Sequence, residues 1–161
     1  MTKKRVFILS VMTGVFGISV GILICLSEEI KNRIKLKELS DKHFALMCLL
    51  NHWMKIKQEG KTLIKYFHEN KINSIAIYGM SYIGERLYDE LKDSDVEVKY
   101  IIDRNADGIH AETDVFTPDQ ELPEVAAIVV TPVYYYDEIK EMLSNKVYCP
   151  LLSLEDILYE V

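Results

Sequence analysis

The stretch Ser74-Ile75-Ala76-Ile77-Tyr78-Gly79-Met80-Ser81-Tyr82-Ile83-Gly84 limits what the rest of this chain can fold into. An apolar run of strand length ends at a glycine. A second glycine follows five residues later, and an amphipathic pattern then continues through Leu87, Tyr88 and Leu91. Strand, tight turn and helix start in that order predict a βα unit built on a buried strand. The spacing is that of the dinucleotide fingerprint G-x-G-x-x-G, read here as Gly79-x-Ser81-x-x-Gly84. The first glycine permits the sharp turn, and the third lets the helix pack close to the strand. Backbone N–H groups at the helix start point at an anion, and the Ser81 hydroxyl adds a donor. Serine replaces the glycine at which the backbone approaches a pyrophosphate, which argues more against a dinucleotide than against a nucleotide in general.

Alternating elements follow. Val96 to Ile102 reads as a second strand closed by Asp103, which lies 24 residues beyond Gly79. That is near the roughly 20 expected of an acid that bonds an adenosine ribose. Arg104 to Gly108 is a polar turn, and no helix of ordinary length fits before a short strand at Asp114–Phe116. Ala126 to Val130 is a buried strand ending at Thr131-Pro132, and Tyr134 to Asn145 is a helix with Ile139, Met142 and Leu143 inward. Val147 to Leu152, broken by Pro150, suits an edge strand. Ser153 with Asp156 three residues on resembles a capping box opening a terminal helix. The order predicts an α/β domain: a small parallel sheet with helices on both faces.

Upstream, residues 6–26 run without a charge for about 31 Å as a helix, enough to cross a bilayer. Gly14, Gly17 and Gly21 lie at small-residue spacing in it. No small-residue cleavage site follows, so the segment is expected to stay as an anchor contacting membrane lipid. Lys31, Arg33, Lys35, Lys37 and Lys42 outnumber Lys3, Lys4 and Arg5, which puts the C-terminal domain on the cytoplasmic side of a single pass. Cys25, Cys48 and Cys149 fit no disulfide or metal spacing and agree with a reducing compartment. From Glu28 to Gln58 a helical stripe runs through Ile30, Ile34, Leu39, His43, Leu46, Leu50, Trp53 and Lys57, widened by Phe44, Met47 and Met54, with a restart at Ser40 or Asp41. Lys61 to Glu69 is a short helix stopped by Asn70. Three regions result: an anchor (1–27), a helical neck (28–70) and the α/β domain (71–161).

Charge is unequal between the halves. Residues 1–70 carry 12 Lys+Arg against 6 Asp+Glu, and residues 71–161 carry 7 against 19. So acidic a domain repels phosphate backbones, which argues against nucleic-acid binding. No histidine pair has ligand spacing, and no metal site is expected.

Together, Ile77-Tyr78-Gly79-Met80-Ser81-Tyr82-Ile83-Gly84, Ile102-Asp103-Arg104-Asn105, Val129-Val130-Thr131-Pro132 and Cys149-Pro150-Leu151-Leu152-Ser153-Leu154 resemble Rossmann-like domains of bacterial cell-surface polysaccharide biosynthesis proteins. Among these are the amino-terminal domains of sugar O-acyltransferases and the cofactor-binding regions of membrane-bound nucleotide-sugar dehydratases. The resemblance covers residues 72–161. It implies a Rossmann-like fold and a site for a nucleotide or nucleotide-sugar, with NAD as the other cofactor of the class. The residues it implies are Gly79, Ser81, Gly84 and Asp103, with Thr131 beside them; Met80 and Tyr82 within the same turn and Arg104 next to Asp103 complete the candidate binding residues.

No complete catalytic set is recognisable. Tyr136-x-x-x-Lys140 has the spacing of a dehydrogenase Tyr/Lys pair, in which lysine lowers the tyrosine pKa. It follows the fourth strand with no substrate domain after it, and among ten tyrosines coincidence explains it better. Asp93-x-Asp95 reads as a turn. Three functions stay open: a membrane-anchored nucleotide- or nucleotide-sugar-binding accessory to a polysaccharide-biosynthesis enzyme; an NAD-dependent oxidoreductase or epimerase needing a partner chain; and a scaffold that binds no nucleotide.

Overall fold

The computed structural model describes the backbone of residues 3–161 and the side chains of residues 21–161. The expected membrane span lies, for residues 6–20, outside the described side chains. Among the described residues no helix is long and apolar enough to cross a membrane. The chain divides into two compact units, Met1–Phe44 and Ala45–Val161.

The first unit is described only as part of helix α1 (Lys3–Gln58). Its side chains from Gly21 on are exposed, apart from a half-buried Lys42. Surface ion pairs at helical spacing run along it, Lys31–Glu28 at 3.1 Å, Arg33–Glu29 at 2.8 Å and Lys42–Glu38 at 2.7 Å. Each supports the helix by about 0.2–0.5 kcal/mol. The expected restart at Ser40 or Asp41 is absent, because α1 runs through both residues unbroken.

The second unit holds the last turns of α1, then α2 (Leu63–Glu69), β1 (Ser74–Tyr78), α3 (Tyr82–Leu91), β2 (Glu97–Ile102), β3 (Asp114–Phe116), β4 (Ala127–Val130), α4 (Tyr136–Leu143), β5 (Leu151–Ser153) and α5 (Leu154–Glu160). All four strand pairings are parallel, in the order β3-β2-β1-β4-β5. The chain therefore winds outward from a central β1 in both directions. Alternate residues of β1 serve two cores. Ile75 and Ile77 join Leu49, Trp53, Ile56, Leu63, Phe67, Leu87 and Leu158 on one face, while Ala76 and Tyr78 join Tyr100, Ile128, Ile139 and Leu143 on the other.

Several boundaries depart from expectation. The inward stripe of α1 is Leu49, Trp53 and Ile56 with Leu46, whereas Phe44, Met47, Leu50 and Met54 are exposed. Part of the expected neck thus belongs to the body of the second unit. The helix after β4 is replaced over Val133–Tyr135 by a tight 3-10 turn, where Tyr135 N–H donates to the Pro132 carbonyl. Residues 147–150 are irregular, and β5 begins only after Pro150, which has no N–H for the ladder. Ser153 takes the N-cap place of α5 without a side-chain cap bond, so the capping box does not form. The end of α2 is as expected, with Asn70 as its C-cap, and Lys71 after it adopts the left-handed conformation, φ 56°. Ile72 N–H reaches the Phe67 carbonyl and Lys71 N–H the His68 carbonyl, which is a Schellman closure.

Candidate functional site

Parallel strands end together, and their register fixes which residues meet. The last row across the sheet is Phe116, Ile102, Tyr78, Val130 and Ser153. Gly79, Asp103 and Thr131, one position beyond that row, therefore stand side by side at the carboxyl edge. The site lies where the chain reverses winding direction, the place at which open α/β sheets bind ligands.

The turn after β1 requires its glycines. Gly79 has φ 91°, and a Cβ there would lie 2.7 Å from Pro132 Cγ. Its N–H donates to the Ile102 carbonyl at 2.8 Å, and its own carbonyl accepts the Thr131 hydroxyl at 2.6 Å. Thr131, itself buried, also donates its backbone N–H to the Tyr78 carbonyl at 3.0 Å. A Cβ on Gly84 would collide with the Gly79 carbonyl oxygen, so the third glycine of the fingerprint brings α3 against the turn. Gly84 sits within the first turn of α3, which begins at Tyr82.

Asp103 braces the turn after β1, a task that sequence reasoning missed. Its Oδ2 accepts the Met80 N–H at 2.9 Å and its Oδ1 accepts the Asn105 N–H at 2.9 Å. The carboxylate braces the glycine turn from the neighbouring strand and shapes its own loop as well. Two hydrogen bonds leave lone pairs on both oxygens, so ribose hydroxyls still find acceptors there. The Met80 amide is occupied. The amides beyond it are different: Ser81 is the N-cap of α3, is exposed, and makes no side-chain cap bond, leaving the first-turn N–H groups uncapped. Tyr82 is 78% exposed and does not cover them. Arg104 is exposed at the rim, and Met80 is half-buried beside Gly84.

Other residues named from the sequence make contacts of their own. The Tyr136 hydroxyl donates to the Leu151 carbonyl at 2.7 Å, and Lys140 lies 5.4 Å above the Tyr136 ring. That pair ties α4 to β5. Tyr134 and Tyr135, exposed beyond β4, pack edge to face at 5.5 Å. Asp95 forms an exposed pair with His68 at 2.7 Å, which holds its carboxyl below the ordinary value. Among the described residues no acid, histidine or cysteine cluster could hold a metal.

Two features had no signal in the sequence. The Tyr78 hydroxyl, just before the turn, is buried with no hydrogen-bond partner among the described residues. At the opposite edge a cleft of about 740 Å³ opens between the loops entering β4 and β5, with Tyr100, Leu122, Val125, Val147 and Cys149 along it. The Tyr100 hydroxyl donates to the Pro123 carbonyl at 2.7 Å, and burial pushes the Cys149 thiol up. No protein-family model, curated protein or solved structure matches the chain.

Proposed function

We propose that the chain is a nucleotide- or nucleotide-sugar-binding module with a Rossmann-like fold, held to a membrane by residues 6–26 and accessory to enzymes of surface-polysaccharide assembly. One observation carries the binding reading: the first-turn N–H groups of α3 are uncapped beside a glycine turn at the carboxyl end of the central strand. A helix start of this kind favours phosphate through its aligned amides and dipole. The strand order supports the fold assignment, because 3-2-1-4-5 is the Rossmann order short of its sixth strand. Asp103 would take ribose hydroxyls, and Ser81 a phosphate oxygen. The membrane and polysaccharide parts rest on the apolar amino-terminal segment and on the resemblance of residues 72–161. A second reading, a scaffold without ligand, draws support from the hold that Asp103 has on the Met80 amide.

Thermal melting of the full chain in detergent tests this against NAD, NADP, UDP, CMP and UDP-sugars. A ligand at a hundredfold its Kd adds about 2.7 kcal/mol, a shift of several degrees. Ser81→Asp places a negative charge at an exposed position of the turn and is expected to abolish that shift. No shift with any compound removes the nucleotide reading in favour of the scaffold. Equal shifts in parent and variant move the binding site away from the turn.

A further inference from the structure

Within the first unit, α1 carries two kinds of surface in succession. Ile22 is 55% exposed, Leu23 65%, Ile24 60% and Leu26 49%. Three of these are consecutive, about 100° apart around the helix, so the apolar surface has no single face. A helix that is apolar all round belongs in a core or a bilayer. From Ile30 to Lys37 the character changes: Lys31, Arg33, Lys35 and Lys37 follow, with no acid among them, and all four are exposed. Lys31 and Lys35 lie about 40° apart on one side of the helix, and Arg33 and Lys37 about 40° apart on the opposite side. The cations form a collar rather than a stripe.

We propose that this collar binds anionic lipid headgroups, an inference that rests on the membrane-anchor part of the reading above. At roughly 1.5 Å per residue, Lys31 stands about 7.5 Å beyond Leu26 and Lys37 about 16.5 Å. The headgroup layer on each side of a bilayer is roughly 5–8 Å deep. The collar therefore starts at the outer limit of that layer and ends within about 10 Å of it, one Debye length. Lysine stems reach back toward the layer. Headgroups surround a crossing helix on every side, as the collar does, whereas a protein or nucleic-acid partner would meet one side only. Glu28 and Glu29 pair with Lys31 and Arg33, but those cations stay 63% and 78% exposed, and surface pairs of this kind hold weakly. Lys35 and Lys37 pair with no acid among the described residues.

The full chain in nanodiscs of mixed phosphatidylcholine and phosphatidylglycerol tests this, with the lipid retained by the protein identified by mass spectrometry. The parent is expected to hold phosphatidylglycerol in excess of its share of the disc, and to lose that excess as salt is raised. An anionic surface is worth about fivefold per Lys or Arg. Lys35→Gln with Lys37→Gln is accordingly expected to lower the exchange constant between the two lipids by about tenfold or more. Lys55→Gln with Lys65→Gln, exposed cations of the second unit, is expected to leave it unchanged. Unaltered circular dichroism would establish that the variants are folded. No excess in the parent overturns the proposal, as does an excess that survives the loss of Lys35 and Lys37 or falls equally with Lys55 and Lys65. Displacement of the lipid by soluble glycerol phosphate would assign the site to a free anion and overturn it too. A chain that does not enter the discs removes the anchor reading itself, and the collar with it.

Discussion

At Gly79 a single residue decides whether the carboxyl edge can form. The positive φ excludes most side chains by backbone sterics, and Pro132 fills the place a Cβ would take. That demand is local and could be read from the glycine spacing alone. The work of Asp103 is not local: its carboxylate reaches Met80 only because β2 lies against β1. Tyr100 shows the same dependence on neighbours. Burial first, and the nearby Cys149 thiol second, raise its phenol to about 12. A folded-state value above the ordinary 10.0 means that the protonated ring is favoured in the folded chain. Its stabilisation is complete below about pH 10 and is lost as pH rises through about 12. Urea melts between those values are expected to show a decline in stability that Tyr100→Phe flattens.

Among the elements, α1 and α3 depend on one carboxylate. The Glu90 side chain is 7% exposed and sits near the end of α3. It accepts the Trp53 indole N–H at 2.8 Å and the Leu63 N–H at 2.9 Å, and it pairs with Lys57 at 3.0 Å. It therefore joins three helices and caps the start of α2, whose own Thr62 supplies no cap. Glu90→Ala would leave two donors unsatisfied at about 1–3 kcal/mol each. A loss of about 3 kcal/mol in urea unfolding is expected, with a change in the emission of Trp53, the sole tryptophan. The helical period of α1 was legible, but its inward phase was not. Apolar residues occupy more than one face, and the choice of Leu49, Trp53 and Ile56 over Leu50 and Met54 is made by the sheet they cover.

For the second unit as a whole, the end of α1 is part of the core. A fragment starting at residue 60 would lack Leu49, Trp53 and Ile56, each stabilising by about 1.5–3 kcal/mol when buried. Their combined loss, roughly 4.5–9 kcal/mol, rivals the entire stability of a typical domain. The fragment 60–161 is expected to give no cooperative melt and a weak near-ultraviolet spectrum, whereas 45–161 melts cooperatively.

The sequence by itself determined the βα turn at Gly79, the positions of β1 and β3, and the parallel α/β class. Each follows from local sterics or from the period of apolar residues. Only the tertiary structure decided that β1 is central, that Asp103 holds the Met80 amide, and which face of α1 is buried. Those outcomes depend on which strands and helices become neighbours. Residues far apart in the chain settle that together, when the sheet closes its two cores.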